Sequence, residues 1–360
     1  MLVSDSTVRG GVFFAYPGKP DLRAETLREA ADLLRAAMVV PCETWEGLDV
    51  DGRLIIGRIT EAIDRADTLV AEVGTLNSNV FFEVGYALAR GKHIRLLLDE
   101  TDATAIRHWK DLGLLQSVGR IDYGGNAETL VQRLTSMQPE AASERLWDDL
   151  VSDARPRDPR SVFYTGVPVK FKAAQDLDRL LSRRRDLVMR SSNGDDLGLA
   201  PIKFYAGEIY RSAVGLVHLL APHRIRADVH NARASLLAGM VRGLDLPLKM
   251  IAEEGFAPPL DYQDLLYVYS TSRGLQDHVN SWLDTLPPVD SRLKRPGRLV
   301  LKVELPVRDF GQYVAEYEAD ELEDYFIETG EFASILRGGS AVFVGRKGTG
   351  KSANMLRAAS

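Results

Sequence analysis

Residues Gly345-Arg-Lys-Gly348-Thr-Gly350-Lys351-Ser352 match the pattern G-x-x-x-x-G-K-[S/T], and Ala341-Val-Phe-Val344 supplies the apolar strand that such a loop must follow. In that arrangement glycines let backbone N–H groups wrap a phosphate chain, the lysine reaches its terminal oxygens and the serine hydroxyl ligates magnesium. The expectation is an ATP–Mg2+ site whose contacts are Gly345, Gly348, Gly350, Lys351 and Ser352, with Ser352 the metal ligand through the nucleotide. Eight residues follow Ser352 in this sequence. The acidic strand and the rest of the sheet that hydrolysis needs are not among them. These residues alone are therefore not expected to hydrolyse ATP, and the chain reads as the N-terminal part of a longer protein.

A second constellation is Asn77-Ser-Asn79-Val-Phe-Phe-Glu83-Val-Gly-Tyr86-Ala-Leu-Ala-Arg90-Gly-Lys92, directly after the apolar run Thr68-Leu-Val-Ala-Glu72. In an open parallel sheet, strand C-termini and the helix N-termini after them line the ligand crevice. Asn79 is the expected cap of the helix and Gly91 suits its C-terminal end. Glu83 shares a helical face with Val80 and Ala87, so it points inward, where a carboxylate without a task is costly. Near the Tyr16 loop after the first strand and Trp45-Glu46 after the second, it is placed to attack or stabilise an oxocarbenium-like sugar carbon, as glycosidic cleavage requires. The residues equally allow Glu83 to pair with an arginine or cap a neighbouring backbone, and spacing does not choose.

The elements that must position these residues alternate short apolar runs with amphipathic segments, the pattern of an α/β fold with parallel sheets. Strands are expected at 11–15, about 38–42, 68–72, 94–98 and 119–123, with helices at about 22–37, 53–65 and 79–90 and a closing helix to about 137. Residues 1–137 form the first domain, 138–160 a short helix plus linker, 161–287 a second α/β unit, 288–335 a connector, and 336–360 the start of a P-loop ATPase domain. The second unit, opening on Ser161-Val-Phe-Tyr-Thr-Gly166, reads as a weak copy of the first. Laying Arg90-Gly91 on Arg242-Gly243 puts Asn79 opposite Asn231 and Glu83 opposite Ser235. The tails 121–134 and 260–283 match as an acidic-Tyr strand end followed by a helix. Any two α/β units share some of this cadence. With serine in place of the carboxylate, and Asp228 and His230 the nearest polar candidates, the copy reads as catalytically silent: a nucleotide-binding or assembly module, or a structural spacer.

Together, Phe13-Phe-Ala-Tyr16-Pro-Gly18, a strand ending in Trp45-Glu46, Ile59-x-x-Ala62-Ile-Asp-Arg-Ala-Asp-Thr-Leu-Val-Ala-Glu-Val73 and the 77–92 segment resemble the nucleoside 2-deoxyribosyltransferase-like and TIR-like group of N-glycosidase domains. The resemblance covers about residues 10–135 and, more weakly, 161–287. It implies two flavodoxin-like/TIR-like parallel-sheet domains in tandem. It makes Glu83 the nucleophile or catalytic acid and Tyr16 the aromatic that places the sugar, with Trp45, Glu46, Asn77, Asn79 and Tyr86 around the substrate. Deoxyribosyltransferases carry an aspartate shortly before the glutamate, where this chain has Asn77 and Asn79. Base transfer is thereby in doubt, and hydrolysis of a nucleotide, NAD above all, is what remains. No cofactor is implied for that step. Such domains joined to P-loop ATPases resemble bacterial antiphage proteins, which implies a cytoplasmic homo-oligomer that depletes a nucleotide pool. The competing reading makes both units non-catalytic nucleotide-sensing or oligomerising modules that regulate the downstream ATPase.

Composition narrows the field further. Lys plus Arg number 45 against 51 Asp plus Glu, a net charge of −6, so no global positive field draws the chain to nucleic acid or anionic lipid. A lone Cys42 closes no intrachain disulfide, and six histidines without H-x-x-x-H spacing argue against a metal site. The N-terminus lacks signal-peptide features, and no run of about 18 apolar residues occurs, so no membrane span is expected. Arg183-Arg-Arg185 reads as a solvated helix end.

Overall fold

The computed structural model describes residues 11–37, 41–48, 54–136, 145–192, 200–256 and 265–286. The chain divides into two units, Met1–Val289 and Asp290–Ser360. The second unit, with the Gly345–Ser352 motif, lies outside the described residues.

In the first unit, the N-terminal half runs β1 (Gly11–Ala15), α1 (Asp21–Ala37), β2 (Cys42–Thr44), a 3-10 turn (Trp45–Gly47), α2 (Ile55–Arg65), β3 (Ala66–Glu72), α3 (Ser78–Ala89), β4 (His93–Leu98), α4 (Ala103–Leu112), β5 (Arg120–Asp122) and α5 (Ala127–Ser136). After α6 (Leu146–Val151), the second half runs β6 (Ser161–Thr165), α7 (Lys172–Arg183), β7 (Val188–Ser192), α8 (Ile202–Tyr210), β8 (Val214–Leu219), α9 (Ala227–Gly243), β9 (Leu248–Glu253), β10 (Leu266–Tyr269) and α10 (Ser272–Asp284). Each half is a five-stranded parallel sheet, ordered β2-β1-β3-β4-β5 and β7-β6-β8-β9-β10. The two orders are the same, that of flavodoxin-like folds. Two differences from the sequence reading stand out. The second strand begins at Cys42, where 38–42 was expected and 38–40 lie outside the described residues; α4 was not anticipated at all.

The strands are apolar on both faces because helices cover both. Val12, Phe14, Val70 and Leu97 pack under α1 and α5 with Leu27, Leu34 and Leu130. Phe13, Leu69 and Ala71 face the other way, into a core that also contains Phe163, Tyr205, Leu236 and Met240 of the second half. Trp147 and Leu150 of α6 enter this shared core as well. Helix α3 is buried at every position from Val80 to Ala89, since one side lies on its own sheet and Phe82 reaches a cluster with Val217, Ala234 and Ala238 of the other half.

Helix ends fix the correspondence between the halves. Lys92 N donates to Ala87 O and Gly91 N to Leu88 O; Leu246 N donates to Val241 O and Asp245 N to Arg242 O. The left-handed residues are Gly91 (φ 65°) and Asp245 (φ 56°), the position helices commonly use to stop. Gly91 therefore matches Asp245, not Gly243, and the alignment on the Arg-Gly pairs slips by two residues. Leu237, not Ser235, stands opposite Glu83, and Asn231 stands opposite Asn77. Strand register corrects the tail too: Leu98 pairs with Asp122 and Glu253 with Tyr269, so Tyr123, beside Asp99, matches Tyr269. The Tyr262 used in the sequence match lies outside the described residues. Among the described residues no helix is long and apolar enough to cross a membrane.

Candidate functional site

The C-terminal edge of the first sheet collects Tyr16 after β1, Thr44-Trp45-Glu46 at the end of β2, Glu72 closing β3, Asp99 after β4 and Tyr123 after β5, with the N-termini of α1, α3 and α4 above them. Strand order reverses between β1 and β3, the switch point at which open α/β sheets hold ligands.

Tyr16, Trp45 and Glu46 come together there. Tyr16 is buried, its ring 6.2 Å from that of the half-exposed Trp45 at an interplanar angle of 59°. Burial, then the charge of Glu46, push the Tyr16 hydroxyl above its ordinary pKa. Glu46 is gripped by Arg28, whose Nε and Nη2 donate at 2.7 and 2.9 Å, which lowers the Glu46 pKa. Its carboxylate is thus committed to Arg28, a constraint on the substrate-binding role expected from sequence.

Asn77, not Asn79, caps α3: its Oδ1 accepts from Asn79 N at 3.0 Å and Val80 N at 3.1 Å. Asn79 sits in the first turn and Glu83 one turn on, buried at 4% exposure. Tyr16 belongs to the cluster beneath α1 and α5, whereas α3 covers the opposite face of the sheet. Glu83 and Tyr16 therefore rise from opposite faces. Tyr86 stands apart from the other candidates. Its hydroxyl donates to Asp64 at 2.9 Å and accepts from Arg90 Nε at 3.1 Å, at the far end of α3 from Asn77. A groove of about 470 Å³, lined by Lys92, His93, Arg95, Arg120 and Asp149 among others, opens at that N-terminal edge, beside β4 and β5.

A polar cluster that the sequence reading missed centres on Glu72. The register Ala15↔Ala71 puts Glu72 beside Tyr16 on the neighbouring strand. Glu72 is wholly buried, its Oε1 accepting from Gly74 N at 2.9 Å and lying 3.6 Å from Arg23 Nη1. Arg23 Nη2 donates to Asp102 at 2.6 Å. Only a glycine fits at 74, since a Cβ would come within 2.6 Å of the Glu72 carboxylate and 2.8 Å of Ala105. Burial pushes Glu72 up to about 7, outweighing Arg23 and the Gly74 N–H; burial and the Glu72 charge raise Tyr123. The edge thus holds an acid that exchanges its proton near neutrality beside a permanent cation. Glu72 Oε2, Thr75 Oγ1, Asn79 Oδ1 and the Tyr123 hydroxyl are buried without a hydrogen-bond partner among the described residues. The one sequence signal was a lone carboxylate ending an apolar run. Among the described residues no group of three His, Cys, Asp or Glu is placed to hold a metal ion.

No family model matches the chain, and no curated protein matches it. Among solved structures it is similar to one described as the glycotransferase of kitacinnamycin, at 11% identity and a TM-score of 0.25 over 77% of this chain and 91% of that one, a likeness too slight to bear on fold or activity.

Proposed function

We propose that the first half is an N-glycosidase that hydrolyses the bond between a base and C1′ of a nucleotide, NAD being the favoured substrate. The observation that carries this reading is the set of buried polar groups of Glu72, Thr75, Asn79 and Tyr123 without partners among the described residues, gathered at the sheet edge that holds Tyr16 and Trp45. The C1′–N bond breaks with its electron pair going to the base: nicotinamide, a pyridinium in NAD, leaves neutral without taking a proton, whereas the base of a nucleoside or its monophosphate takes one; water oxygen bonds to C1′ and gives up a proton. Glu83 stabilises the positive charge at C1′, Tyr16 and Trp45 wall the ring, and Glu72 supplies the proton where the leaving base needs one. Two carboxylates in unlike environments divide such work. Gly345, Gly348, Gly350, Lys351 and Ser352 would hold ATP and magnesium, and nucleotide binding there would govern the glycosidase in a cytoplasmic homo-oligomer serving antiphage defence.

One observation favours the non-catalytic alternative: Glu83 is buried in a helix packed on both sides. A nucleotide-sensing module needs no carboxylate in reach of C1′. Chromatographic release of free base from NAD, deoxynucleoside monophosphates and nucleosides separates the two. Release by the wild type, reduced at least 100-fold in Glu83→Gln, supports the glycosidase. Silence across the panel, repeated with ATP and magnesium present, overturns it in favour of the sensor.

A further inference from the structure

At the rim of the first sheet, the ends of β1 and β2 meet α1 on one face. Phe14 pairs with Thr44, so Tyr16 and Glu46 each lie two residues beyond the last pair of two neighbouring strands. Tyr16 belongs to the cluster beneath α1. Glu46 is held to that same side by Arg28 of α1, which donates from Nε to Oε2 at 2.7 Å and from Nη2 to Oε1 at 2.9 Å. Trp45, 37% exposed, sets its ring 6.2 Å from that of Tyr16. These four side chains are linked by contacts and open to solvent through Trp45 and Glu46.

Arg28 takes one acceptor position on each Glu46 oxygen. A carboxylate offers about four, so one on each oxygen is left, on a side chain that is 28% exposed. The hydrogen bond from Arg28 holds the Glu46 carboxyl below its ordinary pKa, so near neutrality it is ionised and only accepts. Beside it the Tyr16 hydroxyl, on a residue 3% exposed, has no hydrogen-bond partner among the described residues. Burial, then the Glu46 charge, keep that hydroxyl protonated. Native interiors leave few such groups unmet. A phosphate finds no attraction here, because the Arg28 charge is already matched by Glu46. An exocyclic amine presents both hydrogens from one atom, whereas the open acceptors of Glu46 lie on two oxygens. Two hydroxyls on adjacent carbons fit them. Dinucleotide-binding sheets of the doubly wound type likewise use an acidic residue downstream of the first helix to accept from a ribose hydroxyl.

We infer that Glu46, oriented by Arg28 and flanked by Tyr16 and Trp45, accepts from both hydroxyls of a ribose 2′,3′-diol and so selects ribonucleotides over deoxyribonucleotides. This rests on the reading of the edge as a nucleotide site, and binding tests it apart from bond cleavage. The whole chain carrying Glu83→Gln, to suppress turnover, is titrated in a calorimeter with adenosine, inosine, 2′-deoxyadenosine and 3′-deoxyadenosine, each to millimolar concentration, with and without Glu46→Gln. Adenosine and inosine should bind at least about tenfold more tightly than either deoxynucleoside, and Glu46→Gln should shrink that preference to within about threefold. Its thermal midpoint should hardly move, since so exposed an ion pair contributes little. Equal affinity for the ribo and deoxy forms, a preference that survives Glu46→Gln, or no binding of any of the four overturns the inference. So does a preference for adenosine over inosine that ignores the diol, which would mean that Glu46 reads the base. Free base released by the wild-type chain from NAD and the same nucleosides judges the glycosidase separately. A diol preference without release keeps this inference and removes the glycosidase; release at equal rates from ribo and deoxy forms does the reverse.

Discussion

Gly85 on α3 and Gly239 on α9 occupy the same place in their two halves, and each lies against the backbone of the other's helix. A Cβ on Gly85 would come 1.9 Å from Leu236 O, and one on Gly239 would come 2.0 Å from Phe82 O. Phe82 and Leu236 correspond by the same helix-end match, so the helices cross about a local two-fold axis. The halves meet as subunits of an isologous dimer meet, joined in one chain.

This crossing predicts a severe response to a single methyl group. The obstructing atoms are backbone, so the helices must part, and Gly85→Ala and Gly239→Ala should each cost about 3 kcal/mol or more. Gly57, on α2, has no neighbour within 4 Å. Gly57→Ala should therefore be neutral or stabilising by up to about 1 kcal/mol through helix propensity. Urea unfolding of the three variants checks the contrast; equal effects would mean that the crossing is not close.

Asp245 pairs with Arg90 across the two halves, Nη1 and Nη2 donating at 2.7 and 2.9 Å, while holding the left-handed backbone that glycine holds at 91. An ion pair so exposed on the Asp245 side contributes about 0.5 kcal/mol, and left-handed backbone costs a residue with a Cβ about 1 kcal/mol. Asp245→Gly should be near neutral or mildly stabilising. Asp245→Ala, which loses the pair and keeps the strain, should be less stable than Asp245→Gly by about 1 kcal/mol in the same unfolding assay.

These two positions also mark where sequence reading stopped. Strands such as Thr68–Glu72 were legible because parallel strands covered on both faces are continuous apolar runs. Helix α3 was legible from its periodicity. The two-fold crossing was not, because it depends on glycines whose partners lie in the other half, and a helix stop built on Asp245 does not look like one built on Gly91. Helix α4 escaped because Ala103–Leu112 buries only Ala105, Trp109 and Leu112. Of the candidate site, Tyr16 with Trp45 could be anticipated from strand ends. Glu72 could not be seen as a cluster, since Arg23 and Asp102 reach it from α1 and the cap of α4.

That cluster predicts a conditional loss. Arg23, 7% exposed in its side chain, serves both Glu72 and Asp102. Arg23→Met should cost about 3 kcal/mol at pH 8, where an ionised Glu72 would be left buried without a cation. At pH 5 Glu72 already carries a proton, and the loss should be smaller. Arg23→Met combined with Glu72→Gln should recover much of it. Denaturant titrations of the single and double variants at both pH values measure this, and a loss independent of pH would place the effect in packing.

The sign of the Glu72 contribution follows from its raised pKa. The carboxyl goes from an ordinary 4.5 to about 7 on folding, so as pH rises the unfolded chain releases its proton first. Stability from this group is complete below about 4.5, falls across the interval and levels off above 7, by roughly 3 kcal/mol in all. His218 and His230 act in the opposite sense. Their folded values lie below the ordinary 6.5, so their contribution is present above 6.5 and is lost as pH falls. The wild-type profile therefore sums opposing slopes, and only the difference between wild type and Glu72→Gln isolates the carboxylate. Relative to wild type, the variant should gain stability steadily between pH 5 and 7. A flat difference would mean that Arg23 keeps Glu72 ionised throughout, and the edge would then lack its proton donor.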